Sequence, residues 1–149
     1  MAGTRKRVAA AALAALLALG GAGAATEAKP KPRKPKPKLE LMTTTQEGAL
    51  ARKAIKVAVN SKRGREARLR GTLFVDGFPD DYHFRLGPKT KRLRGGEATF
   101  ALPLSARKRE VLDFAAQTCR PASVDLAVKV GRGRDALDKR LRKPNDCRS

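Results

Sequence analysis

Cys119 and Cys147 are the only thiols in the chain, and His83 is its only histidine. Two cysteines can pair, ligate a metal or run redox chemistry, and the compartment decides among these. Two cysteines and one histidine fall short of the four ligands of a closed zinc site, so no metal is expected. The start of the chain points to export. Basic Arg5, Lys6 and Arg7, an apolar run from Val8 to Leu19 and small residues ending in Ala22-Gly23-Ala24-Ala25 follow the three-part plan of a secretory signal peptide. As a helix, that apolar run measures about 18 Å against a hydrocarbon core of about 30 Å, too short for an anchor. Residues 1–25 are thus expected to be a cleaved signal, and the mature chain to carry no transmembrane segment. In an oxidising compartment Cys119 and Cys147 are expected to form a disulfide, whose loop closure stabilises a fold by about 3.6 kcal/mol at most.

Other groupings with chemical potential are weaker. Gly131-Arg132-Gly133-Arg134-Asp135-Ala136 spells G-x-G-x-x-A after a strand-like run. The dinucleotide fingerprint needs a helix after it, a second parallel strand and an acid about 20 residues on, and the sequence beyond Ala136 supplies none of these. A turn is expected there. Asp76-Gly77-Phe78-Pro79-Asp80-Asp81 has turn chemistry, and its spacing does not match an EF-hand calcium loop. Asp80 and Asp81 are adjacent in that turn, where nothing shifts them toward acid/base work. His83 alternates with Tyr82 and Phe84 and is expected to be solvated on an outer face. No catalytic residue and no cofactor is expected.

Charge is the strongest compositional signal. Thirty-four Lys and Arg against 14 Asp and Glu give a formal +20, which suits an anionic partner and equally confers solubility. With five Phe, one Tyr and no Trp, no stacking platform for bases is visible, so no specific nucleic-acid partner is expected. Residues 26–38, TEAKPKPRKPKPK, form a Lys/Pro-rich arm that cannot be helical and has nothing to bury, hence a disordered, extended segment. It is either an electrostatic arm, through Lys29, Lys31, Arg33, Lys34, Lys36 and Lys38, or a stiff spacer. A second basic group, Lys89, Lys91, Arg92 and Arg94, falls in what reads as a connection from Lys89 to Gly96.

The elements that must hold these residues are mostly strands. Val124, Leu126, Val128 and Val130 alternate with Asp125, Ala127 and Lys129, the period-two pattern of a half-buried strand, expected at the centre of the domain. Similar alternation predicts strands over Leu39–Met42, around Ile55, Val57 and Val59, over Arg68–Val75, around Tyr82, Phe84 and Leu86, and from Ala98 to Leu104. Phe74 falls on the polar side of its strand, for which the pattern offers no reason. Thr45 is placed to cap a helical turn through Gln46 to Arg52, and Ser105 to cap the one real helix, Ala106 to Ala116. Arg107, Lys108 and Arg109 crowd its first turn, where the helix dipole disfavours cations. Residues 134–142 fit either a strand or a short helix.

The order of these features, a basic proline stretch, TTTQEGAL before IKVAV, FALPLSARKREVL into a cysteine, then an alternating strand and a second cysteine, resembles Ig-like β-sandwich modules of secreted proteins from high-GC Gram-positive bacteria. It covers residues 39–149 and is most specific over LPLSARKREVL, residues 102–112. The resemblance implies an Ig-like antiparallel β-sandwich with one short helix crossing between sheets, a structural or adhesive role, and no active site. The chain lacks the tryptophan that antibody-type domains pack on their disulfide, so the likeness is to the sandwich in general. The expectation is then a secreted protein, extracellular or held at the cell wall: 1–25 signal, 26–38 arm, 39–149 mainly β domain, contacting an anionic cell-surface polymer through basic residues. A protein-binding Ig-like domain whose charge only solubilises it, and an unrecognised extracellular enzyme, stay open as alternatives.

Overall fold

A computed structural model describes residues 30, 31, 33, 35–77 and 79–147; the expected signal peptide, Lys29, Lys34 and Phe78 lie outside these. The chain divides into two units, Met1–Arg33 and Lys34–Ser149. In the first, Pro30, Lys31 and Arg33 are exposed and belong to neither helix nor strand. The second carries, in chain order, β1 (Lys38–Leu41), α1 (Gln46–Arg52), β2 (Ala54–Asn60), β3 (Glu66–Val75), β4 (Tyr82–Arg92), β5 (Glu97–Pro103), α2 (Ala106–Gln117), β6 (Ala122–Val130), β7 (Gly133–Leu141) and a 3₁₀ turn, Asn145–Cys147.

The period-two pattern does what it predicts. β1-β2-β5 form one sheet and β4-β3-β6-β7 another, every strand pair antiparallel. Each sheet turns its apolar residues inward: Ile55, Val57, Val59, Phe100 and Leu102 from the first meet Leu69, Leu73, Val124, Leu126 and Val128 from the second in one core. Each such side chain contributes about 1.5–3 kcal/mol on burial. β6 lies between β3 and β7, inside its sheet, and its alternation turns one face to the core. The 134–142 alternative resolves to strand: β7 pairs with β6 from Gly133 opposite Val130 to Leu141 opposite Ala122.

Two expectations change. The domain has two helices, because Gln46–Arg52, read as a helical turn, completes seven residues capped by Thr45, whose Oγ1 accepts the Gly48 N–H at 3.0 Å. The helix α2 connects β5 to β6, one sheet to the other, and buries Val111, Leu112, Ala115 and Ala116 while Phe114 stays 47% exposed. Lys89 to Arg92, read as connection, extends β4. Within β4, an edge strand, Gly87 and Pro88 have no register partner in β3, so proline's missing N–H costs no ladder bond. The register with β3 slips between Leu69 and Gly71 as the strand passes Gly87, whose φ of 81° suits glycine.

That slip fixes the fate of two lysines. Lys89 and Lys91 come to lie opposite Leu69 and Ala67, both fully buried, so they leave β4 on its core side. Their stems run toward β5, the free edge of the other sheet. Lys89 Nζ donates to the Ala101 carbonyl at 2.8 Å, Lys91 Nζ to Thr99 at 2.7 Å, and Lys108 of α2 to Arg85 of β4 at 2.7 Å. The opposite side is closed by different groups: the Leu39 N–H donates to Asp135 Oδ2 at 3.1 Å, and Gln46 N–H to the Arg142 carbonyl at 3.0 Å. Unpaired strand edges are templates for a second chain, and inward-pointing charge is a way to block them. Replacing both Lys89 and Lys91 with Ala is expected to expose the β5 edge and raise concentration-dependent self-association above that of the unaltered chain, read by sedimentation velocity. Unchanged association would show that the seam does not depend on these amines.

Candidate polyanion-binding site

Three connections meet at one end of the sandwich. β2 to β3 passes through residues 61–65, β4 to β5 through 93–96, and β6 to β7 through Gly131 and Arg132. Main-chain bonds tie the first two together: Ser61 N–H donates to Gly96 at 2.8 Å and Leu93 N–H to Arg65 at 2.8 Å. β1 also begins here, Lys38 opposite Asn60. These segments are rich in exposed cations, among them Lys62, Arg63, Arg65, Arg94 and Arg132.

The sheet face beside them continues the charge. Arg68 of β3 sits directly opposite Lys129 of β6, and Lys129 directly opposite Arg134 of β7. All three are exposed on the outer face. Neighbouring strands lie about 4.8 Å apart, so three positive side chains stand abreast in one row. Like charges directly opposite one another destabilise a sheet. Arg70 extends the patch one step along β3, beside Ala127 of β6. Arg92, at the margin, faces Glu66. The two ion pairs among the described residues, Arg107 with Glu110 at 3.3 Å and Arg120 with Asp76 at 3.7 Å, involve none of these groups.

Chemically, such a patch presents planar guanidinium forks and one ammonium to an anionic group, and guanidinium binds phosphate, sulfate or carboxylate oxygens in bidentate fashion. Because the row is a repulsive arrangement in the free protein, Lys129→Glu is expected to stabilise the fold by about 0.5–1 kcal/mol at low salt, an effect that fades as salt screens it. Urea midpoints at two salt concentrations would measure it.

The residues singled out from sequence divide. Arg92 and Arg94 lie in this basic end. Lys89 and Lys91 do not: their amines are engaged at the β5 edge. Lys36 is exposed just before β1, Pro37 is buried, and Lys38 is the first residue of β1. Lys31 and Arg33 are exposed in the other unit, while Lys29 and Lys34 lie outside the described residues. Arg68, Arg70, Lys129 and Arg134 escape a reading by sequence, since a charge at every second strand position reads as a solvated face. One signal is present: Gly131-Arg132 is short enough to be a two-residue hairpin loop, which alone sets Lys129 opposite Arg134.

The other chemical groupings also find places. Cys119 and Cys147 form a disulfide with Cα atoms 5.4 Å apart. Gly131 and Arg132 make a turn, followed by strand rather than helix. His83 is exposed, as expected, and its ring meets Phe74 edge to face, centroids 4.8 Å apart; this cross-strand pair answers why an aromatic stands on the polar side of β3. No family model, curated protein or solved structure matches the chain.

Proposed function

We propose that this chain is a secreted, non-catalytic module of Ig-like sandwich type that holds an anionic cell-surface polymer against its basic end. The observation that carries the reading is the Arg68, Lys129, Arg134 row, three like charges kept in register at a cost in stability with no carboxylate partner among the described residues. A solubilising surface has no need to align them. Strand order supports the Ig-like part: lettering β1, β2 and β5 as A, B and E, and β4, β3, β6 and β7 as C′, C, F and G, reproduces an immunoglobulin-type arrangement without strand D. The disulfide departs from that pattern, joining the end of α2 to the tail instead of strands B and F. It fits an oxidising compartment, as does the signal-like start.

Co-sedimentation of the chain from residue 26 with native cell walls, and with walls stripped of anionic polymer, tests the reading at low and high salt. Binding that needs the polymer, weakens with salt and falls in Lys129→Glu is the expected result. Equal binding by Lys129→Glu, or none to native walls at low salt, would instead favour charge that serves solubility alone.

A further inference from the structure

The same outer sheet face holds a second feature at its opposite end. Outward positions of β3 run Glu66, Arg68, Arg70, Thr72 and then Phe74, so a single aromatic ring ends a polar series. Register places His83, Phe74, Ser123 and Arg140 in one row across β4, β3, β6 and β7. Phe74 is half-buried, and Pro121 and Asp81 close the row into an open cleft of about 260 Å³. Asp81 is positioned by its loop: its Oδ1 accepts the Gly77 N–H at 3.3 Å.

Ser, His and Asp side chains in one cleft invite a hydrolytic reading, and the register rejects it. His83 and Ser123 stand on strands separated by β3, about 9.6 Å apart between strand axes, and the Phe74 ring lies between them. A base must reach its nucleophile within about 3 Å. What the cleft offers is an apolar floor with a rim of mixed polarity: a guanidinium, an imidazole, a hydroxyl and two carboxylates, Asp81 and Asp76, the latter paired with Arg120. An isolated anion would meet the Asp81 charge, and a wholly apolar ligand would strip water from polar groups without replacing it. A pyranose ring has one face of C–H groups and a rim of hydroxyls that both donate and accept, which matches a floor of this kind.

We propose that this cleft binds one pyranose ring of a glycan, its C–H face on Phe74 and its hydroxyls on Ser123, Arg140 and Asp81. Phe74 lies six residues along β3 from Arg68, about 20 Å at about 3.4 Å per residue. Insofar as it joins the basic-end reading, the polymer is a charged glycan that spans both features; the cleft itself needs no charge on its ligand.

Uncharged probes separate the two ideas. The full chain, labelled with ¹⁵N, is titrated with neutral tetrasaccharides of glucose, mannose, galactose and N-acetylglucosamine. The expected result is saturable shifts for at least one of them, centred on the amides of Phe74, His83, Ser123 and Arg140, weakened at least tenfold in Phe74→Ala. Ser123→Ala and Arg140→Ala, which remove only outward polar groups, should weaken it at least threefold and serve if Phe74→Ala does not fold. Phe74→Ala, where folded, should bind a duplex DNA probe with an unchanged salt slope, whereas Lys129→Glu should lower that slope and leave the sugar shifts intact. No saturable shift with any of the four sugars, or shifts that persist undiminished in the variants, would overturn the proposal, and neither result bears on the basic end.

Discussion

With Arg68, Lys129 and Arg134 all replaced by Gln, the plot of log affinity against log salt should flatten by about 2.7 for a duplex DNA probe, at about 0.9 per lost phosphate contact. DNA serves here as a polyanion of known charge spacing, not as the physiological ligand. The three side chains stand abreast on one exposed face, so a single polymer strand laid across the row can meet all of them. Between 1 M and 0.1 M salt a slope change of that size amounts to a loss of about 500-fold in affinity. Lys56→Gln supplies the control. It removes one charge from β2, in the other sheet, and should leave the slope almost unchanged. If Lys56→Gln lowers the slope as much per charge as the triple variant does, affinity comes from the net charge of the chain and the row has no special standing. The triple variant should also be no less stable than the unaltered chain, since it relieves repulsion between neighbours.

Local pattern encodes the legible part of this fold. Alternation in VDLAVKV specifies β6, and the apolar spacing of Val111, Leu112 and Ala115 specifies the buried face of α2. The export-like start makes pairing of Cys119 with Cys147 the natural expectation. Capping is legible for Thr45, which accepts the Gly48 N–H; Ser105 stands at the N-cap of α2 but its side chain makes no capping bond. The cations in the first turn of α2 find their reasons only in three dimensions: Lys108 reaches the Arg85 carbonyl, and Arg107 lies 5.8 Å from the Tyr82 ring centre while pairing with Glu110.

The remainder depends on distances between segments far apart in sequence. That Lys89 and Lys91 seal an edge requires knowing that β4 and β5, which belong to different sheets, lie side by side. Their inward direction follows from the register slip at Leu69/Gly71, and a sequence offers no warning of a one-residue slip. The Arg68, Lys129, Arg134 row joins residues of β3, β6 and β7, with α2 and both β4 and β5 intervening between the first and the second. Even Phe74, whose outward side is plain from parity, has no meaning until His83 is found opposite it.

Replacing both Cys119 and Cys147 with Ser is expected to lower stability by about 2–4 kcal/mol, measured from denaturant midpoints. The disulfide closes a loop that contains β6 and β7, so its absence enlarges the unfolded ensemble more than it disturbs the folded one. The native end is held by other bonds as well. Gln46, fully buried, donates from Nε2 to the Arg120 carbonyl at 2.8 Å, Arg120 N–H donates to Ala115 at 2.8 Å, and Arg142 N–H to Thr44 at 2.8 Å. Hydrogen exchange should therefore show early loss of protection at Thr118, Cys119 and Cys147, with Val124 to Val130 opening only on global unfolding. A cost near zero would mean that the unfolded chain is already restrained there, or that the bond strains the fold. Binding supplies the sharper distinction. Cys119 precedes the start of β6, at Ala122, while the basic row lies near its other end, at Lys129, so the double Ser variant should keep the salt slope of the unaltered chain wherever it stays folded. A fall in slope under those conditions would mean that the register of β6 against β3 and β7 depends on the disulfide, and that the alignment of the three cations is maintained from the far end of the strand.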